Sequence, residues 1–319
     1  VIVFFVLSGF VIAFVTETKE NTWQTYTASR IARVFSVVVP ALILTVVLDT
    51  IGRSINTSFY SDYPFDQFLV RIGASLLMLN ETWFISITSF SNIPFWSIIY
   101  EWWYYVIFAL LTFLPRKTGF IASCLTILLI GPKVLLLLPI WWLGVLLYRW
   151  RILREISISV SFALFVLSLV GIVVFEITGF NAYLAESLKY LIGAHAFKEF
   201  TFSKFFLGDY VLGMLVFMNF AGARNITAAY GNLLLKIEKP VRFVANFTFT
   251  LYLLHQPLFV FWATVINGNP AGPLYWLMVT ALTFISIFAV GYFTERRRLI
   301  FRKYLIDWFE KNTKARSIT

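Results

Sequence analysis

The sequence predicts an all-α fold, a polytopic membrane helical bundle, and three observations lead there. Of its 319 residues 60% are hydrophobic and the mean hydropathy is +0.81, far outside the range of soluble domains. The apolar residues fall in long continuous runs, where a transmembrane β-barrel would show short alternating ones. The excess of basic residues, net charge +10, is confined to short clusters between those runs: Arg116-Lys117, Arg149 to Arg154, Lys236 to Arg242 and Arg296 to Lys303. That is the positive-inside pattern of membrane proteins and excludes nucleic acid as a partner. The 35 phenylalanines, 15 tyrosines and 11 tryptophans suit interfacial belts and lipid-facing surfaces. Cys124, the single cysteine, lies inside an apolar run, which excludes disulfides within the chain and cysteine-rich metal sites. Neither a metal nor a tightly bound cofactor is expected.

Taken in order, the first apolar run is Val1–Val15, with Ser8 and Gly9 as a small pair that lets another helix approach closely. The chain starts mid-helix and without methionine, and is read as a fragment whose first helix precedes Val1; a cleaved signal peptide is the alternative. Arg30 and Arg33, at i and i+3 and so on one face, introduce the run Val34–Ile51. Between Phe65 and Pro94 the segment Phe68–Leu79 is interrupted by Arg71, and a full crossing there would put Arg116-Lys117 on the side opposite Arg30 and Arg33. An interfacial or re-entrant piece lining a cavity beside Glu101 is expected instead. The runs Phe95–Leu114, Gly119–Ile130, Val134–Tyr148 and Ile156–Ile177 follow, the middle pair forming a hairpin around Gly131-Pro132. A polar outer stretch, Thr178 to Lys204, leads to the runs Phe205–Phe220, Phe243–Ile266 and Leu274–Phe293. Nine crossings result. Residues 1–294 are expected to form one transmembrane domain and residues 295–319 a basic cytoplasmic tail lying on the anionic membrane surface.

Glu101 is the one carboxylate in the run Phe95–Leu114. A charge at the centre of a bilayer costs at least about 2.5–3.5 kcal/mol, so Glu101 must face a partner, a cavity or a substrate. The competing reading is a structural pair with an arginine of a neighbouring helix. Two guanidiniums at a membrane boundary, as at Arg30 and Arg33, suit the phosphates of a donor such as a coenzyme A thioester, with topology-setting or lipid contact as the alternative. His195 lies in the outer polar stretch, where a histidine is ordinarily solvated. His255 sits mid-run before Gln256 and Pro257, and anchoring a proline-broken helix is favoured there over catalysis.

Several of these segments resemble the membrane acyltransferase-3 family. FFVLSGF (Phe4 to Phe10) resembles the family's second transmembrane helix, and the arginine spacing Arg30/Arg33 resembles its cytoplasmic pair. Trp96-Ser97, Glu101 and Tyr104-Tyr105 resemble its signature segment, and Tyr252, Leu253, His255 and Pro257 its penultimate helix. Glu295 with Arg296 to Arg298 resembles the segment after the last helix, without the proline common there. The resemblance implies about ten helices in the full-length protein and O-acyl transfer, most often of acetyl, from cytoplasmic acetyl-CoA or another acyl-CoA to a cell-surface carbohydrate or lipid-linked glycan. It implies a multi-pass protein of the bacterial cytoplasmic membrane. Glu101 would be catalytic, Arg30 and Arg33 would bind the donor, and Ser8, Trp96, Ser97, Tyr104, Tyr105, Tyr252 and His255 would line the site. The family's histidine base belongs to a helix that would precede Val1, so Glu101 would either orient that histidine or hydrogen-bond the acceptor hydroxyl. A transporter or flippase for a glycan, using Glu101 and His255 as a proton relay, is the alternative function.

Overall fold

The computed structural model describes residues 1–316. Its helices, in chain order, are α1 (Ile2–Thr18), α2 (Trp23–Ile55), α3 (Phe68–Leu76), α4 (Phe95–Phe113), α5 (Arg116–Ile130), α6 (Pro132–Arg149), α7 (Ile152–Glu155), α8 (Ile158–Ile177), α9 (Phe180–Ile192), α10 (Ala194–Glu199), α11 (Phe206–Leu234), α12 (Glu238–Ala245), α13 (Thr248–Val265) and α14 (Pro273–Arg316). Among the described residues the only β pairing is an isolated bridge between Ser89 and Asn92. The boundaries have local causes. Thr22 caps α2 by accepting from the Thr25 N–H at 3.3 Å, and Ser157 caps α8 in the same way through Val160. Gly131, at φ +82°, ends α5 in a conformation only glycine adopts freely, and Pro132 starts α6 with its preset φ.

Among the described residues, five helices can cross a membrane by length and composition (α2, α6, α8, α11 and α14), or six if the bent pair around α12 and α13 is one span. The chain is a multi-pass membrane protein. The sequence reading counts nine crossings, its additional candidates corresponding to α1, α4 and α5. Of these, α1 has 17 residues and α5 has 15, while α4 carries Glu101 and a run of tyrosine and tryptophan that lowers its hydropathy. Two elements run past their apolar cores. The 33 residues of α2 make about 50 Å of helix at 1.5 Å each, against a hydrocarbon core of ~30 Å, so Arg30 and Arg33 are inside the helix. The backbone of α14 continues through residue 295, where charge alone draws the boundary of a tail. The outer polar stretch is itself helical, as α9 and α10. The expected single helix Phe243–Ile266 bends by 48° between α12 and α13.

The segment between Phe65 and Pro94 is no simple crossing. Its helix α3 has nine residues, about 14 Å, and irregular backbone follows to Pro94.

The described residues divide into two units, the first comprising Val1–Asn21, Glu81–Ser86 and Tyr100–Glu238, the second Thr22–Asn80, Ile87–Ile99 and the chain from Lys239 on. In the first unit α1 crosses α6 at very close range. A Cβ at Gly9 would fall 2.0 Å from the Trp141 carbonyl oxygen, and one at Gly144 would fall 1.9 Å from that of Val6. The small pair Ser8-Gly9 is thus the contact surface for α6. Buried aromatics fill the space around the crossing, with Tyr104 edge-on to Phe5 at 5.6 Å and Phe108 edge-on to Trp141 at 5.8 Å. Helix α11 packs on α8 and α6.

In the second unit α2 packs along α14 and α13. Asp49 of α2, wholly buried, accepts from the Ser91 N–H at 3.0 Å and the Ser91 hydroxyl at 2.6 Å, which ties the irregular segment to the helix. Just beyond, Arg53 donates to the carbonyls of Tyr60 (3.0 Å) and Tyr63 (2.5 Å) and stacks over the rings of Tyr60 and Phe65. Burial, and then the charge of Asp49, push the Tyr60 hydroxyl up to about 12, so it stays a neutral donor.

Candidate active site

Glu101 lies in the first unit, 2% exposed, on α4. Its carboxylate oxygen Oε1 accepts hydrogen bonds from the Ser8 hydroxyl of α1 and the Tyr105 hydroxyl one turn along its own helix. The Trp141 indole of α6 donates to Ser8 Oγ at 3.1 Å, and the Ser8 and Tyr105 hydroxyls stand 3.3 Å apart. Two helices therefore supply hydroxyls to one carboxylate and a third holds Ser8, and each has a local reason to be there. Residues i and i+4 on α4 put Glu101 and Tyr105 on one face, Gly9 and Gly144 bring α1 onto α6, and the small Ser8 beside Gly9 can reach the carboxylate. The Ser8 and Tyr105 hydroxyls hold the orientation of the Glu101 carboxyl group, and the indole in turn holds Ser8. Tyr104 is spent differently: its hydroxyl donates to the Val134 carbonyl at 2.8 Å, and its ring packs against Phe5 and Trp141.

The sequence reading missed a second buried cluster in this unit. Lys133 Nζ pairs with Glu81 Oε2 at 2.8 Å, with the side chains 0% and 1% exposed. The remaining demands of the pair are met: Lys133 also donates to the Ile85 carbonyl (2.7 Å) and to Thr201 Oγ1 (3.3 Å), while Glu81 accepts from Ser86 Oγ (2.5 Å) and Thr201 Oγ1 (3.2 Å). Such completeness is what a buried ion pair requires. The backbone of the same residue is held as well, since Ser203 Oγ donates to the Lys133 carbonyl and shares a hydrogen bond with Tyr100 OH, each at 2.8 Å. A signal existed. Lys133 follows Gly131-Pro132 in an apolar hairpin, and the depth argument applied to Glu101 applies to it equally.

The other predicted residues lie in the second unit. Arg30 is 7% exposed with its guanidinium 5.5 Å from the Tyr26 ring centroid, and Arg33 is half-buried one turn on. Ser97, buried in the first turn of α4, shares a 2.5 Å hydrogen bond with the Tyr252 hydroxyl of α13, while Trp96 beside it is half-buried. His255 is exposed, where the sequence reading expects it buried. Its Nδ1 lies 2.8 Å from the Tyr252 carbonyl and 3.2 Å from that of Leu251, acceptors to which an Nδ1–H donates. This is attachment to its own helix, and α13 runs unbroken through Pro257. The side chains of Glu295 and Arg296 lie outside the described residues.

The arrangement fixes one carboxyl group in a set orientation inside an apolar environment. A family model described as an acyltransferase domain matches residues 1–292 of the chain. No curated protein and no solved structure matches it.

Proposed function

The chain belongs to the acyltransferase-3 family of membrane proteins, and from that premise we propose that it transfers an acyl group, acetyl by default, from cytoplasmic acyl-CoA to a hydroxyl of a carbohydrate or related acceptor. The observation that supports this most is the convergence of Ser8, Tyr105 and, through Ser8, Trp141 on the buried carboxylate of Glu101. In the reaction the acceptor oxygen attacks the thioester carbonyl, the C–S bond breaks, and the hydroxyl proton leaves with the coenzyme A thiolate by way of a base. The family resemblance implies a histidine as that base. Glu101 then serves either by orienting that imidazole, as a carboxylate does in a triad, or by hydrogen-bonding the acceptor hydroxyl. Ser8 and Tyr105 fix its rotamer for either use. Arg30 and Arg33 would grip the donor phosphates as charge-assisted donors. A bacterial cytoplasmic membrane is the setting this reading favours.

The test is transfer of labelled acetyl from acetyl-CoA to a glycan fraction by membranes containing the protein. Glu101→Gln keeps the shape and removes the charge, and is expected to lower transfer by at least about 100-fold at unchanged expression, the scale of a lost proton-handling group. Arg33→Ala is expected to raise the KM for the donor far more than it lowers kcat. If no acyl donor yields labelled product while the membranes carry a sugar across the bilayer, the transferase reading fails.

A further inference from the structure

In the second unit a groove of about 690 Å³ runs between α2 and α14. Phe35, Val39 and Pro40 supply one wall, and Val290, Phe293 and Phe301 the other. The wall residues of α14, Val290, Phe293, Thr294, Arg297 and Phe301, recur at helical spacing, so they form one stripe about 16 Å long. The volume falls within roughly the 300–1,000 Å³ typical of ligand sites. Val39, Phe293 and Phe301 are exposed, so the groove opens laterally, and in a multi-pass membrane protein an apolar opening of this kind faces lipid.

One end is charged. Arg297 lines the groove, exposed, and among the described residues no carboxylate is within ion-pairing distance of it. Beyond it Arg302 reaches across to α2 and donates to Ser29 Oγ at 2.6 Å, which sets the basic segment of α14 beside the basic start of α2. Arg33 shares the α2 face of Ser36, one turn before it. An apolar trough with a guanidinium in its wall and a basic segment beyond it is complementary to a chain with an anionic head. We propose that this groove is a binding site for an anionic phospholipid, with one acyl chain along Val39, Val290 and Phe293 and the headgroup phosphate on Arg297. Guanidinium forms bidentate hydrogen bonds to phosphate, so Arg297 is suited to that position. Neither Arg297 nor the apolar walls have a part in the proposed transfer reaction; Arg33, which that reading gives to the donor, borders the groove without lining it.

The experiment uses the full chain, delipidated in detergent and offered phosphatidylglycerol or phosphatidylcholine, with retained lipid counted by native mass spectrometry. Phosphatidylglycerol is expected to be retained preferentially. Arg297→Gln is expected to lower that preference about five-fold, the effect of one basic residue near an anionic surface. Lys311→Gln, farther along the same helix, is expected to leave it unchanged, and Val39→Trp, which fills the trough, to release both lipids. Equal retention of the two lipids overturns the proposal, and so does an equal effect of Lys311→Gln, which would mean diffuse surface attraction. Displacement of the retained lipid by a long-chain acyl-CoA, but not by coenzyme A, overturns it in favour of a donor chain as occupant. Should Val39→Trp fail to fold, the surface substitution Arg297→Gln decides alone.

Discussion

Two buried carboxylates of the first unit are held in different ways, and the difference predicts how each responds to substitution. Glu81 is neutralised by a lysine and saturated by hydroxyls, so it is bound up in the fold. Glu101 takes hydroxyl donors from two helices on Oε1, an arrangement that fixes the orientation of its carboxyl group. Lys133→Met should therefore destabilise the protein by about 3–5 kcal/mol, because Glu81 is left charged and unpaired. The double variant Lys133→Met with Glu81→Met should recover most of that loss, and thermal unfolding of the two variants in detergent checks it. Glu101→Gln, by contrast, should leave the unfolding temperature nearly unchanged while transfer collapses. A melting temperature that falls as far as in Lys133→Met would make Glu101 a structural residue. At this scale the sequence was informative about Glu101, since a lone charge in an apolar run announces itself. The same depth argument extends to Lys133, a lone charge in an apolar hairpin, but its partner Glu81 could not be read from the sequence.

Helices of this chain are positioned by small residues and by buried polar ties. Gly144→Leu should cost about 1–3 kcal/mol or abolish folding, because the Val6 carbonyl occupies the place of its Cβ and backbone cannot give way as a flexible side chain can. Gly73→Ala in α3, with open space around its Cβ, should be neutral or gain up to about 1 kcal/mol from helix propensity. The pair of measurements separates close approach from propensity. Asp49→Ala removes the tie to Ser91, and amide exchange in residues 87–94 should rise selectively while the amides of α2 stay protected. Sequence reading found α1's small pair and the non-crossing character of the segment after Phe65, both from local signals. It did not find Asp49, whose partner lies 42 residues away.

Over the whole molecule the basic clusters predict topology. Cys124 is the single cysteine, so a Cys124→Ser background is clean for labelling. A cysteine placed at Lys117 should react with a membrane-impermeant maleimide only after permeabilisation, and one placed at Lys189 should react in intact cells. Labelling of both positions in intact cells would refute the orientation drawn from charge.

Composition and run length by themselves determined that this is a helical membrane protein, because the bilayer permits few ways of satisfying backbone polar groups. The order of motifs along the chain pointed to its family. Where each helix ends was less legible, since α2 and α14 continue as helix into polar sequence that no hydropathy pattern marks. Only the tertiary structure decided which polar residues meet. Ser8, Glu101, Tyr105 and Trp141 come from three separate runs, and Lys133 finds Glu81 across 52 positions. The exposure of His255, whose Nδ1 lies against carbonyls of its own helix, was likewise decided by packing. Hydrogen bonds between distant segments are a property of packing, and one-dimensional periodicity holds no record of them.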